Sequence, residues 1–447
     1  MINLNITPGS SNTGSGIDVT SIVNQILDSE RGPEKLMQAQ QSQITSESAV
    51  LNRLSVSLSD LKDKVNNLKD FTGALSGMTA ASSQADILTA TAQTSAVAGS
   101  HVIMVSQLAT TSSAYSNALG SSSTAFATGT LNLQVGSTPV TINVDNQINT
   151  VDGLAKYINA QSLGLKANVV QDTTGTRLAL VSTSSGSLGN IAVIANTTGL
   201  TLTTVAGQNA TLNIDGVPIN SASNTVTGAL PGITLNLASA APGTQVSLDV
   251  SPDMARAAQA VTDFVTAYNT VITTINGQFV VNTSTNTAGP LAGNSSLRAL
   301  QTSLLSDITY SLTGNNGLVS LASIGVDMKN DGTLTVNNSE LDSVLKTQFS
   351  DVQNLFQSIS SDGLARHFSS DLSNLTDSTR GLLALNLSQN ANTLAMLTNE
   401  INDFEDRLSL REQQLINQYS RIDVMLRQYP LLVAQIQAQL GALSQNS

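Results

Sequence analysis

Two stretches at opposite ends of the chain carry large apolar residues at spacings of three and four, and the region between them does not. The members of the first are Ile44, Leu51, Leu54, Leu58, Leu61, Val65 and Leu68. The members of the second are Leu394, Leu397, Ile401, Phe404, Leu408, Leu415, Ile422, Met425, Tyr429, Leu432 and Ile436. Such a stripe lies on one face of an α-helix and needs a partner. We expect the two helices to pair, with Leu58 and Ile401 each at a core position of its stripe.

The region between the stripes alternates apolar and polar residues over short runs, which is typical of β-strands. The predicted strands cover 83–92, 99–108, 131–135, 140–144, 165–171, 177–182, 210–214, 217–220, 232–237 and 244–250. A four-residue loop at 136–139 and the pair Asp215-Gly216 read as hairpin turns. A short helix is expected over 151–161.

Further helices are predicted on both sides of this region. Asp18 or Thr20 caps a short helix over 17–27, and a long helix follows over 34–71. Ser251 and Pro252 read as the cap and first residue of a helix whose apolar stripe continues to Ile275. A helix over 297–312, a small hairpin around 327–332 and more helices follow. Pro430 is expected to kink or break the last helix.

These elements predict an α+β multidomain protein. Its N- and C-terminal segments would form a discontinuous coiled-coil stalk, with β-rich head domains inserted between them. We expect terminal assembly segments at 1–33 and 410–447, and a helical stalk domain from 34–79 and 251–409. One head domain would combine 80–127 with 201–250, and 128–200 would form a second, inserted one.

Composition narrows the classes of function. The net charge of −12 comes without any cluster of Lys and Arg, so nucleic acid is not an expected partner. No apolar run approaches the roughly 18 residues that span a bilayer, so no membrane insertion is expected. The chain has no cysteine. It also lacks the basic and apolar regions of a cleaved signal peptide, so an exported protein of this sequence would use another route.

Residue patterns for catalysis or cofactor binding are weak. His101 and His367 are the only histidines, and neither lies in a zinc-binding spacing, so structural roles are expected. Residues 14–16 approach a dinucleotide motif without its third glycine. Residues 327–332 fit a hairpin turn better than a calcium loop. We therefore expect no enzyme, no metal and no cofactor.

The two ends carry apolar residues that lie beyond the paired stalk. Ile22 and Ile26 fall in 17–27, and Leu432, Ile436 and Leu440 fall near the C-terminus. The first pair is the only evident partner within the chain for the second group. Uncovered stripes of this kind mark either self-association or docking of a helix into a groove. These five residues are the candidates for contacts with other copies of the chain or with a partner protein.

Three segments carry a resemblance to a known family. They are Gly16-Ile17-Asp18-Val19-Thr20-Ser21-Ile22-Val23-Asn24-Gln25-Ile26-Leu27 with Glu30-Arg31-Gly32-Pro33, Leu212-Asn213-Ile214-Asp215-Gly216 through Asn224-Thr225-Val226 to Leu230-Pro231-Gly232-Ile233-Thr234-Leu235, and Ile324-Gly325-Val326 with Asp331-Gly332-Thr333-Leu334. Together they resemble the flagellar hook-associated protein 2 family, which caps bacterial flagellar filaments. The likeness extends along almost the whole chain and is least distinctive over 128–200.

The resemblance implies a protein exported by the flagellar type III route without a cleaved signal peptide. It would form a homo-oligomeric ring at the tip of the growing flagellum, outside the cell. There it would promote folding and insertion of exported flagellin and prevent its loss. Implied partners are flagellin, the proteins of the hook-filament junction, and a cytoplasmic export chaperone at the C-terminal segment.

Two other functions stay open at the level of sequence. The Ser/Thr-rich loops at 115–128 and 183–210 would suit a surface adhesin, which could coexist with a capping role. A secreted hydrolase in the β region is disfavoured, because no nucleophile accompanies either histidine in a recognisable motif.

Overall fold

A computed structural model describes residues 18–282, 287–360 and 362–444. These residues divide into two compact units. The first, which we call the helical unit, joins the residues up to Lys69 with Val261–Leu341 and those from Asn354 onward. The second, which we call the strand-rich unit, joins Asp70–Ala260 with Asp342–Gln353. Terminal helices flank a strand-rich central region, which confirms the predicted fold class.

The helices are α1 Val19–Glu30, α2 Gly32–Lys69, α3 Val151–Ala160, α4 Met254–Phe279, α5 Ser295–Ile308, α6 Asn338–Thr347, α7 Phe349–Gln357, α8 Leu364–Leu375 and α9 Leu382–Ser444. The first strands are β1 Met78–Ser82, β2 Leu88–Ala92, β3 Gly99–Gln107, β4 Thr111–Ser116, β5 Gly129–Val135, β6 Thr138–Val144, β7 Leu165–Asp172, β8 Gly175–Ser185, β9 Ile191–Asn196 and β10 Leu202–Val205. The remaining strands are β11 Ala210–Ile214, β12 Val217–Ser221, β13 Thr225–Leu230, β14 Ile233–Leu237, β15 Val246–Pro252, β16 Val281–Asn282, β17 Thr287–Ala288, β18 Val326–Met328 and β19 Leu334–Val336.

In the helical unit, α2 and α9 pack antiparallel, as the two apolar stripes predicted. The Nε2 atom of Gln41 donates to Oγ1 of Thr398 over 3.0 Å, and Nδ2 of Asn390 donates to Oγ of Ser48 over 3.1 Å. Residue numbers in α2 therefore rise as those in α9 fall. All seven apolar positions of the first stripe are buried.

Leu58 is buried in the core as predicted, Ile401 is half-buried, and the two residues lie at different levels of the helix pair. Ile401 lies three residues after Thr398, so in an antiparallel pair it is level with residue 38, three residues before Gln41. Leu58 is fully buried and lies near the connection between α8 and α9. The side chain of Lys62, one turn further, reaches Thr376 at 3.5 Å. The C-terminal part of α2 therefore packs on α8 rather than on α9.

The predicted break at Pro430 does not occur, because α9 continues through that residue to Ser444, and the kink that was the alternative stays a prediction. A proline inside a helix removes one backbone hydrogen bond and costs about 3 kcal/mol. The turns on either side keep their own hydrogen bonds, so this cost is confined to one turn. The C-terminal stripe is consequently part of the same helix that pairs with α2.

The strand-rich unit contains two hydrophobic cores. The first lies between the sheets β1-β15-β3-β11-β12 and β13-β14-β2. The second lies among the sheets β10-β4-β8-β7 and β6-β5-β9 and the helix α3. Ala114 of β4 is buried in the second core, so the chain enters that core near residue 111, earlier than the predicted boundary at 128. The four-part domain division stays a prediction.

Local corrections have simple physical causes. The 131–144 hairpin turns over two residues rather than four, and Pro139 pairs with Gln134 within β6. This strand is an edge of its sheet, where a missing N–H donor is tolerated. Ser251 and Pro252 end β15 instead of starting a helix. Asp253 caps α4 in their place, since its Oδ1 accepts from the backbone N–H of Arg256 at 2.9 Å.

Candidate assembly surface

The N-terminal helix α1 packs along α9 through a small apolar cluster. The backbone N–H of Ser21 donates to Oδ1 of Asp18 at 3.0 Å, which caps the helix as predicted. The buried members of the cluster are Val23 and Leu27 of α1 and Leu408 and Leu415 of α9. A helix of 12 residues is marginal alone in water, so this contact is what stabilises α1.

Ion pairs hold the junction between α1 and α2 against α9. The Nη1 atom of Arg31 lies 2.9 Å from Oε1 of Glu405 and 2.7 Å from Oε2 of Glu34. The hydrogen bond from Arg31 holds the pKa of the Glu405 carboxyl below its usual range. Sequence reasoning missed this network, and its available signal was the arginine at the helix junction of the Glu30-Arg31-Gly32-Pro33 segment.

Beyond Tyr419, α9 exposes a long row of large apolar side chains. The exposed members are Ile422, Val424, Met425, Leu426, Tyr429, Leu431, Leu432, Val433, Ile436 and Leu440. We call this row the distal stripe. From residue 424 to residue 444 the sequence has a single charged residue, Arg427, whose Nε lies 2.8 Å from Oδ2 of Asp423. Because large exposed apolar surfaces are commonly interaction sites, the distal stripe is a candidate for one.

The five predicted contact residues fall into two places. Ile22 and Ile26 are half-buried on α1, and Ile26 packs against the cluster with Leu408 and Leu415. Leu432, Ile436 and Leu440 lie in the distal stripe and are 54%, 50% and 61% exposed.

Ile22 and Ile26, the one evident partner within the chain for the C-terminal group, lie at a different level of α9 from that group. The α1 helix lies level with 404–419, and Leu432 is 17 residues beyond Leu415, or about 25 Å along the helix.

The two histidines have different surroundings. Nδ1 of His101 donates to Oδ2 of Asp215 at 2.7 Å, and the backbone N–H of Val102 donates to Oδ1 at 2.8 Å. These two bonds hold the pKa of Asp215 below its usual range. Both residues of the Asp215-Gly216 turn have positive φ, as a type I′ hairpin turn requires, so this histidine anchors a turn. His367 instead lies beside two buried or half-buried carboxylates, a grouping that sequence reasoning missed.

Within the part of the chain that the structure describes, no helix combines the length and apolarity needed to cross a bilayer.

Comparisons with known proteins agree along the chain. The family model for the flagellar hook-associated protein 2 N-terminus matches residues 15–112, and that for its C-terminus matches residues 207–430. The B-type flagellar hook-associated protein 2 of Pseudomonas aeruginosa is 30% identical and aligns with 91% of this chain and 92% of its own. The flagellar hook-associated protein 2 of Escherichia coli K12 is 28% identical over 92% of this chain and 94% of its own.

A solved structure gives the same result for the fold. The crystal structure of the flagellar cap protein FliD D1-D2-D3 domains from Escherichia coli matches with a TM-score of 0.61 and 26% identity. It covers 76% of this chain and 99% of that one. These relatives are named as flagellar hook-associated or cap proteins, and none of these names supports the adhesin alternative. Since the two family models together match most of the sequence, the chain belongs to the flagellar hook-associated protein 2 family.

Proposed function

We propose that this protein caps the flagellar filament. It forms a homo-oligomeric ring at the distal tip of the growing flagellum, promotes folding and insertion of exported flagellin, and prevents flagellin loss. The observation that carries this proposal is family membership over residues 15–112 and 207–430. A relative with a similar fold is a flagellar cap protein, which supports the same role.

We further propose that the distal stripe is the surface through which the protein contacts other copies or flagellin. Leu432, Ile436 and Leu440 are its central residues. Burying such side chains yields roughly 25 cal/mol per Å² of apolar surface removed from water. With one charge between residues 424 and 444, the matching surface is another apolar helix face rather than an acidic or basic one.

The remaining partners and the route follow from the family. We propose export by the flagellar type III route without a cleaved signal peptide, with a cytoplasmic chaperone covering the C-terminal segment before export. Neighbouring hook-filament junction proteins are the expected contacts at the start of filament growth. An export chaperone would shield the distal stripe, which is otherwise prone to premature association.

Gene deletion in the source bacterium tests the capping role. We expect the deletion strain to release monomeric flagellin into the medium and to carry few or short filaments, and the wild-type gene to restore them. Immunoblots of the culture supernatant and electron microscopy of filaments give the two measurements. Filaments of normal length and number in the deletion strain would overturn the proposed function.

A matched pair of variants tests the distal stripe. Ile436→Asp places a carboxylate in the stripe, and Ala434→Asp places the same charge on the same helix, about 160° around its axis, on the face that carries Asp423 and Arg427. Both positions are exposed, so neither variant should unfold the subunit. We expect Ile436→Asp to abolish self-association in light scattering and to fail in complementation, and Ala434→Asp to retain both. Equal behaviour of the two variants would contradict the assignment.

A further inference from the structure

Three metal-ligating side chains meet inside the helical unit, away from the distal stripe. Asp307 lies near the end of α5, and His367 and Asp371 lie one turn apart on α8. One ligand atom from each residue lies within 4.8 Å of the other two. We propose that Asp307, His367 and Asp371 form a binding site for a divalent transition-metal cation, best matched by Zn²⁺.

The strongest sign of a ligand is the buried carboxylate. Asp307 is 1% exposed, and its Oδ2 atom has no hydrogen-bond partner. Among the described residues, neither Asp307 nor Asp371 pairs with a lysine or an arginine. The protein groups alone therefore leave these two carboxylates without a lysine or arginine partner, and a cation would supply the positive charge.

The imidazole of His367 is placed as a ligand rather than as a hydrogen-bond donor. Its Nε2 lies 3.6 Å from Oδ1 of Asp307, which is too long for a hydrogen bond. Two ligands on a tetrahedral ion with bonds of about 2.0 Å lie about 3.3 Å apart, so small shifts would bring both atoms onto one cation.

Surrounding residues orient this ring. Nδ1 of His367 faces Oδ2 of Asp362 at 3.5 Å, so the outer nitrogen points to a carboxylate. Metal-binding histidines commonly have this second carboxylate, which fixes the ring and its tautomer. The Tyr310 ring stacks on the imidazole, with centroids 4.3 Å apart and planes 11° apart. Together these contacts aim Nε2 at the two carboxylates.

The ligand set selects the class of cation. Ca²⁺ takes about six to eight oxygen ligands, and Mg²⁺ prefers octahedral oxygen coordination with several waters. One imidazole nitrogen and two carboxylate oxygens suit Zn²⁺ better, with a fourth position left for water. An ion held this way would link α5 to α8 and stabilise the helical unit in proportion to its occupancy.

Calorimetric titration of the full chain with ZnCl₂, after treatment with a chelator, tests the site. We expect one Zn²⁺ per chain and a higher melting temperature with Zn²⁺ present. His367→Gln and Asp371→Asn should each weaken binding at least about tenfold, as loss of a ligand or its support typically does. His101→Gln is the matched control, because it removes the other histidine that lies beside an aspartate, and it should bind Zn²⁺ as the wild type does.

The outcome of the titrations decides whether the three side chains bind Zn²⁺. Asp371→Asn removes a like charge next to Asp307, so it should fold, and circular dichroism of the metal-free variant checks this. If the titration detects no Zn²⁺ binding to the wild-type chain, the two carboxyl groups merely share a proton and the proposal is overturned. Retained one-to-one binding in Asp371→Asn, or displacement of Zn²⁺ by a modest excess of Ca²⁺, would overturn it too. Loss of binding in both site variants and not in His101→Gln would support it.

Discussion

Truncation of Leu58 tests the packing of α2. This side chain is 0% exposed and lies near the connection between α8 and α9. Leu→Ala at buried positions costs about 2–5 kcal/mol through lost transfer energy and the remaining cavity, and we take about 3 kcal/mol here. The helical unit has about 240 residues, for which 1 kcal/mol shifts the melting temperature by roughly 2–4 °C. Leu58→Ala should therefore lower the melting temperature of this unit by about 6–12 °C.

Amide hydrogen exchange along a denaturant series separates this unit from the strand-rich one. Peptides from α2 and α9 should lose protection at lower denaturant in Leu58→Ala, and peptides from β3 and β15 should not change. Val56→Ala is the matched control, since Val56 is 72% exposed on the same helix. Exposed substitutions usually change stability by less than about 0.5 kcal/mol.

The result also tests the register of the helix pair. Ile401 is half-buried, so Ile401→Ala should cost less than Leu58→Ala, about 1 kcal/mol. A Leu58→Ala effect no larger than that of Val56→Ala would refute the packing of α2 described above. Equal effects at Leu58 and Ile401 would refute the register.

Two further predictions concern a turn and a helix junction. Gly216→Ala should destabilise the strand-rich unit by about 1–2 kcal/mol, because φ is +88° there. Gly277→Ala inside α4 should instead stabilise the helical unit by about 0.5–1 kcal/mol, and chemical denaturation of each variant should show these opposite changes in the free energy of unfolding. The Glu405 pKa is lower in the folded protein than in the unfolded chain, so its contribution is present above the unfolded pKa and is lost as pH falls through the folded pKa. Exchange of the α1 amides, corrected for intrinsic rates, should therefore rise in acid below about pH 4.5 in the wild type and lose this dependence in Arg31→Gln; an unchanged profile in the variant would contradict it.

The sequence predicted the elements whose patterns are strong and local. The α2 stripe and the Asp215-Gly216 turn are examples, because a 3.6-residue period and a two-residue turn each act over a few residues. The strands β1, β4, β9, β10 and β13 were missed, as were the two-residue strands β16 and β17. In β4, for example, only Ala114 and Tyr115 are apolar, and the strand is held by its pairing with β8 and β10 rather than by its own pattern.

The exposure of the candidate assembly surface was predictable in part. Leu432, Ile436 and Leu440 are exposed, as an unpartnered stripe suggests. What could not be predicted is the level at which α1 meets α9, because the apolar period of each helix is the same at every turn. The level is set by particular contacts, such as Arg31 with Glu405, that lie 374 residues apart in sequence. The pairing of Asp307 with His367 was also missed, because these residues lie on different helices, far apart in sequence.

The antiparallel pairing of α2 with α9 also sets the order in which the chain can fold. Contacts of α2 with α8 and α9, such as Asn66 with Ser369 and Ser48 with Asn390, span 303 and 342 residues, so these partners for its buried face arrive only after that much more chain has been made. Closing so long a loop is entropically costly and slow, whereas Asp70–Ala260 contains nearly all the residues of the strand-rich unit and can form earlier. During synthesis the apolar face of α2 is therefore exposed to solvent until α8 and α9 have been made. A nascent chain halted before α8 should accordingly protect the strands of that unit from protease while α2 is still cut.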